Sequence, residues 1–244
     1  MHVGDLYDTK FGTLEVVGYT NKSKVRVRFI ETGYEKFARY DHILNGSVKD
    51  NLRPSVFGVG FIGDEVTRTK EGRPLSYKYW VGMLQRAYCK KYKALKNTYI
   101  DCTTSENFKS YPYFKEWCER QIGYGNKGWA LDKDILVKGN KSYCEDVCCF
   151  IPPEINSIVV SKKSIRGRYP IGVTKHKKMT SFSSSVSIDG TMKYLGSFST
   201  PEEAFLAYKE AKEQQIKVVA NRWKDQIDIR VYDALMNWEV DITD

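Results

Sequence analysis

No apolar run in the chain approaches the roughly 18 residues that a membrane-spanning helix needs. The opening stretch MHVGDLYDTKFG also lacks the basic-then-apolar order of a secretory signal. Together these absences lead us to expect a cytoplasmic protein with no membrane partner. Histidine is scarce, with three residues in 244, all far in sequence from the six cysteines. Cys89, Cys102, Cys118, Cys144, Cys148 and Cys149 contain no C-x-x-C pair. In a reducing compartment they are expected to be buried free thiols, and zinc is not expected. The cluster CEDVCC is the one place that keeps a metal-binding alternative open. There is no glycine-rich phosphate loop and no Ser/His/Asp set, so nothing points to a nucleotide hydrolase or a triad hydrolase.

What is present is globular. Apolar residues make up 41% of the chain and aromatics 14%, which excludes a wholly disordered polymer. The net charge of +9 points to an anionic partner, most often nucleic acid, with an inert basic surface as the alternative. Residues 1–62 are strand-rich: GTLEVVGYT, KVRVRFI and YEKFARY alternate apolar and polar positions between turn signals. A small curled antiparallel sheet is expected there. Lys24, Arg26 and Arg28 share one strand face, which either touches phosphates or is simply solvated.

Residues 63–160 mix helix and strand. Tyr77, Trp80, Met83, Leu84 and Tyr88 recur at helical spacing, as a core stripe does. A second aromatic helix is expected around Phe114 and Trp117. The stretch WALDKDIL, 129–136, reads as a strand ending at a Gly-Asn turn. A second strand is expected near 146–151, then a helix opened by Pro152 and Pro153. A basic linker follows at 161–170, with Lys162, Lys163, Arg166 and Arg168 able to lie along a phosphate backbone. Residues 171–222 read as three short strands and one long helix. Ser199 or Thr200 is the candidate cap, Pro201 suits the first turn, and Glu202 and Glu203 suit the helix dipole. Residues 223–244 are left as a packing or partner-binding tail. The fold class expected is therefore modular α+β.

The stretch YPIGV…SFSSSVSIDG…YLGSFSTPEEAFLAY resembles the Apetala-two/ethylene-response-factor family of DNA-binding domains. Gly172–Val173, Phe182 and the run from Leu195 to Tyr208 keep that family's order and spacing. Packing is consistent with the likeness: Val173, Val186 and Leu195 are expected to meet Phe198, Ala204 and Tyr208. Alternation then puts Thr174, His176, Ser183, Ser185, Ser187 and Tyr194 on the open face. The resemblance implies that this face enters the major groove of double-stranded DNA, with Lys175, Lys177, Lys178 and Lys193 on phosphates. Several arginine and tryptophan positions of the plant pattern are serine, threonine or histidine here. Hydroxyls bond bases but lack arginine's bidentate grip on guanine.

The segment with LDKDILVKGNKSYCEDVCCFIPPEIN, together with the aromatic helices before it, resembles HNH, or ββα-metal, nucleases of phage. The family runs D-H-I, then an asparagine in the hairpin, then a final Asn or His on the helix. Asp132 falls at the aspartate, Lys133 at the histidine, Asp146 at the hairpin asparagine and Asn156 at the final position. The resemblance implies catalytic positions at Lys133 and Asp146. It implies a magnesium or manganese site at Asp132 and Asn156, assisted by Asp134, since all three offer hard oxygen ligands. The alternative is a structural hairpin with solvated aspartates. An HNH-like unit joined to an Apetala-two-like domain is typical of mobile phage homing endonucleases, so a bacterial host is implied. Three functions stay open: metal-dependent phosphodiester cleavage, a non-catalytic DNA-binding regulator or blocker on the same scaffold, and a protein-interaction module. Lysine in place of histidine favours the second, because an ordinary amine, near pKa 10.4, is a poor base at neutral pH.

Overall fold

A computed structural model describes residues 1–159, 168–176 and 180–244. In chain order its strands are β1 (Leu6–Thr9), β2 (Gly12–Asn21), β3 (Lys24–Phe29), β4 (Glu35–Ala38), β5 (Thr103–Thr104), β6 (Ala130–Asp132), β7 (Ser142–Tyr143), β8 (Cys149–Ile151), β9 (Val173–Thr174), β10 (Phe182–Ile188) and β11 (Thr191–Phe198). Its helices are α1 (Tyr40–Leu44), α2 (Leu75–Tyr88), α3 (Lys90–Leu95), α4 (Tyr111–Glu119), α5 (Pro153–Val159), α6 (Pro201–Trp223) and α7 (Ile229–Met236). The fold is mixed α+β, as the patterning predicts. No helix among the described residues is long and apolar enough to cross a membrane.

Two compact units form, one from Met1–Glu119 with Lys141–Cys144, the other from Arg120–Asn140 with Glu145–Asp244. The first begins with a four-stranded antiparallel sheet in the order β1-β2-β3-β4. Strict alternation in KVRVRF buries Val25, Val27 and Phe29 against Leu14, Val16 and Ile43, while Lys24, Arg26 and Arg28 stay outside. Its second core is aromatic. Trp80 donates its indole N–H to the Phe108 carbonyl at 2.8 Å, and Ser76 and Tyr111 share a hydroxyl bond at 3.0 Å. Phe108, Phe114 and Trp117 pack ring against ring beside them. Of the expected helical stripe, Trp80, Met83 and Leu84 are fully buried, while Tyr77 and Tyr88 lie at its margins.

In the second unit, β6 pairs antiparallel with β8 and α5 follows directly. The strand expected over 129–136 stops at Asp132, for a local reason. The Asp132 Oδ1 accepts the backbone N–H groups of Asp134 at 2.7 Å and Ile135 at 2.8 Å, which turns the chain out of the ladder. The C-terminal part of the unit is a three-stranded antiparallel sheet, order β11-β10-β9, packed on α6. Thr200 caps that helix: its hydroxyl accepts the Glu203 N–H, and the Glu203 carboxylate accepts the Thr200 N–H in return. Of the expected core, Val173, Val186, Ala204 and Tyr208 are buried, and Phe182 and Phe205 join them. Leu195 and Phe198 are only partly buried, because β11 is an edge strand and a register shift between Ser184 and Ser185 leaves Leu195 without a partner. The tail contributes α7, capped by Asp228, whose Val231 and Leu235 are buried. α7 packs on α6.

Gly172 shows how closely the sheet sits on the helix. It has φ +77°, and a Cβ there would lie 2.0 Å from the Tyr208 ring. The Gly172–Val173 pair and Tyr208, distant in sequence, are thus linked by direct contact.

Candidate nucleic-acid interface

The loop between β6 and residue 140 holds the lysine that stands at the nuclease histidine position. Lys133 is buried, as are Leu131 and Ile135, although the chain has left the strand after Asp132. Its ammonium donates to the Asp134 Oδ1 at 2.5 Å and to the Asn140 carbonyl at 2.6 Å. The Asn140 amide donates back to the Lys133 carbonyl at 2.8 Å. The result is a closed clamp across a loop, with the amine engaged as a donor on two acceptors. A general base needs a free lone pair aimed at a water, and this geometry directs the amine elsewhere.

Asp132 is committed to the turn through Oδ1. Burial pushes its carboxyl above the ordinary value, while the N–H groups of Ile135 and Asp134 pull the other way. Cys149 is its register partner across the ladder, and burial raises that thiol too. Asp134 is half exposed and paired to Lys133. Asp146 lies in an exposed turn before β8, where its carbonyl accepts from Arg230. Asn156 sits partly buried on α5. Among the described residues no group of three or more His, Cys, Asp or Glu side chains is placed to hold a metal ion. The hairpin and helix come in the expected order, with Asp132 on β6 and Asn156 on α5. On α5, Glu154 is instead taken up by Trp223 Nε1 at 2.7 Å and by the Arg222 guanidinium.

The three-stranded sheet presents a clearer surface. β10 pairs with β11 so that Ser183 opposes Ser197, Ser185 opposes Tyr194 and Ser187 opposes Met192. On the other side, Ser183 opposes Thr174 on β9. Paired residues share a face, so Thr174, Ser183, Ser185, Ser187, Met192, Tyr194 and Ser197 form one face, opposite the one packed on α6. Tyr194 is 67% exposed and Met192 64%. Met192 follows Tyr194 by ordinary alternation, whereas counting along the strand misses Ser197, because the register shift changes the alternation between Tyr194 and Gly196. Lys193 opposes the buried Val186, so it projects from the helix side at the exposed edge rather than from the open face. Lys175 is exposed, with its ammonium 4.5 Å from the centre of the Phe182 ring. His176 and Arg168 are exposed. Lys162, Lys163, Arg166, Lys177 and Lys178 lie outside the described residues.

The basic face of β3 is a different case. Arg26 pairs with Glu35 at 2.5 Å and Arg28 with Glu15 at 2.7 Å. Those two charges are locally balanced and offer little to a phosphate. Set beside known proteins, the chain matches no family model, no curated protein and no solved structure.

Proposed function

We propose that this chain is a duplex-DNA-binding protein that reads DNA with the open face of its C-terminal sheet. The observation that carries this reading is the register: five hydroxyl side chains, one exposed tyrosine and one exposed methionine fall on a single face. Hydroxyls donate to and accept from base edges, and a methionine or tyrosine offers apolar contact to thymine methyls. The exposed cations Lys175 and Arg168 supply phosphate contacts that position the sheet without reading sequence. The likeness to the Apetala-two/ethylene-response-factor pattern supports the same use of this face.

Within that reading we favour the non-catalytic form, a regulator or blocker on an HNH-like scaffold, because the Lys133 amine is spent on a structural clamp. Metal-dependent cleavage is kept as the second reading on one observation, the β6–β8–α5 order that places Asp132 and Asn156 on a ββα unit. Both readings put the protein in the cytoplasm of a phage-infected bacterium.

The test is binding to cognate and random duplexes, after selection of a preferred site from a random pool. Ser187→Ala and Tyr194→Ala should lower the cognate-to-random ratio, by about 5- to 150-fold for a contact worth 1–3 kcal/mol. Unchanged ratios for both variants would move base reading off the sheet. Nicking of supercoiled plasmid in manganese that disappears in Asp132→Ala would shift preference to the cleavage reading.

A further inference from the structure

The net charge is not spread along the chain. Residues 72–100 hold seven Lys/Arg and no Asp/Glu, and residues 161–178 hold the same. The rest of the chain has 25 basic against 30 acidic residues, so it is net acidic. The second of these stretches enters the sheet reading above. The first belongs to the other compact unit, on α2 and α3, and the sheet reading has no use for it.

Its cations divide into two kinds. Lys93 is structural: its ammonium donates to the carbonyls of Ile100 at 2.8 Å and Cys102 at 3.1 Å, tying α3 to the turn after it. Tyr92 packs on Tyr99 across the same turn, with ring centres 5.8 Å apart. Lys90, Lys91 and Lys96 are exposed and make no ion pair among the described residues. Lys141, also exposed, donates to the Thr98 carbonyl at 3.2 Å and so adds a fourth cation to this platform. Elsewhere in the unit Arg26, Arg28, Arg39, Lys109 and Lys115 each have a carboxylate partner, while exposed Lys10, Lys22 and Lys49 are scattered along the sequence rather than grouped on one short helix and its end. The nearest acid in sequence, Asp101, stands at the margin.

We infer that Lys90, Lys91, Lys96 and Lys141 form a second contact surface, for the phosphate backbone of duplex DNA, that is separate from the sheet and blind to base sequence. Six residues of helix rise span about 9 Å, along which a duplex carries a phosphate charge every ~1.7 Å of axis, so several phosphates face such a patch at once. Lysine ammoniums on flexible stems act as point charges and carry no fork geometry for a base edge. A lipid surface fits less well. Leu95 and Ile100 are exposed beside the lysines, at 81% and 52%, but the six-residue α3 is too short to bury an apolar face in a membrane interface.

The experiment uses the full chain and a random 30-base-pair duplex, with affinity followed by fluorescence anisotropy from 50 to 300 mM NaCl. The combined variant Lys90→Gln/Lys91→Gln/Lys96→Gln should flatten the log–log salt slope by about 2 to 3, at ~0.9 for each phosphate that is no longer neutralised. A control with the same charge change at other exposed lysines of this unit, Lys10→Gln/Lys22→Gln/Lys49→Gln, should keep close to the wild-type slope. A wild-type slope in the α3 variant overturns the proposal. So does an equal flattening in the control, which would make the effect one of bulk charge. Loss of binding to anionic phospholipid vesicles in the α3 variant, with duplex binding intact, likewise overturns it in favour of a membrane. The sheet reading is judged by the cognate-to-random ratio instead, so either can fail alone.

Discussion

Replacing Lys133 with methionine keeps most of the buried stem and removes the ammonium, which isolates the clamp in the 133–140 loop. Two hydrogen bonds disappear, to Asp134 Oδ1 and to the Asn140 carbonyl. The carbonyl is part-buried, and a charged donor to such a group contributes about 1.5–3 kcal/mol. Asp134 is half exposed, so solvent screening leaves its pairing worth about 0–1 kcal/mol. Relief from burying the ammonium offsets part of this sum. The net expectation is destabilisation by roughly 1–3 kcal/mol. Lys133→Ala should cost more, since further apolar groups of the stem leave a buried site at about 0.8 kcal/mol each. Urea unfolding followed by tryptophan fluorescence gives the two values. A double-mutant cycle with Asp134→Ala, which removes the carboxylate that the amine meets, should show a coupling of about 0–1 kcal/mol. Duplex affinity should be unaffected. A Lys133→Met protein within about 0.5 kcal/mol of wild type would refute the clamp. A loss of plasmid nicking without loss of stability would return the lysine to a chemical role.

Asp132→Asn keeps an acceptor for the two turn N–H groups and removes the buried charge, so it should be neutral or stabilising at pH 7. Asp132→Ala should cost about 1–2 kcal/mol through the lost turn, both read from urea midpoints. Because burial raises the Asp132 pKa in the folded state, the carboxyl binds its proton more tightly there than in the unfolded chain. Its contribution therefore improves as pH falls through the raised value. The advantage of Asn over wild type should shrink on acidification toward pH 4, and a growing advantage would contradict the sign. Gly172→Ala should destabilise by more than about 2 kcal/mol, from positive φ and collision with Tyr208, with partial rescue by Tyr208→Ala in a thermal melt. Lys175→Gln should lower affinity evenly across duplex sequences and flatten the salt slope by about 0.9, whereas a change in sequence preference would reassign that residue.

Sequence by itself determined the elements whose signals are local. The β3 alternation, the helix start at Pro201 and the helical stripe around Trp80 each rest on local spacing, while the choice of Thr200 over Ser199 as the cap came from the structure. Tertiary structure alone decided what those faces meet. The strand expected to reach residue 136 ends at Asp132, because a side-chain oxygen competes for backbone N–H groups that the ladder needs. Ser197 joins the open sheet face through one register shift that no alternation rule contains. Which cations are free was also invisible in the sequence. Arg26 and Arg28 look as available as Lys90 and Lys91 until strand pairing brings Glu35 and Glu15 beside them. Charge along a chain counts ions, while only the folded chain sets the distances over which opposite charges cancel.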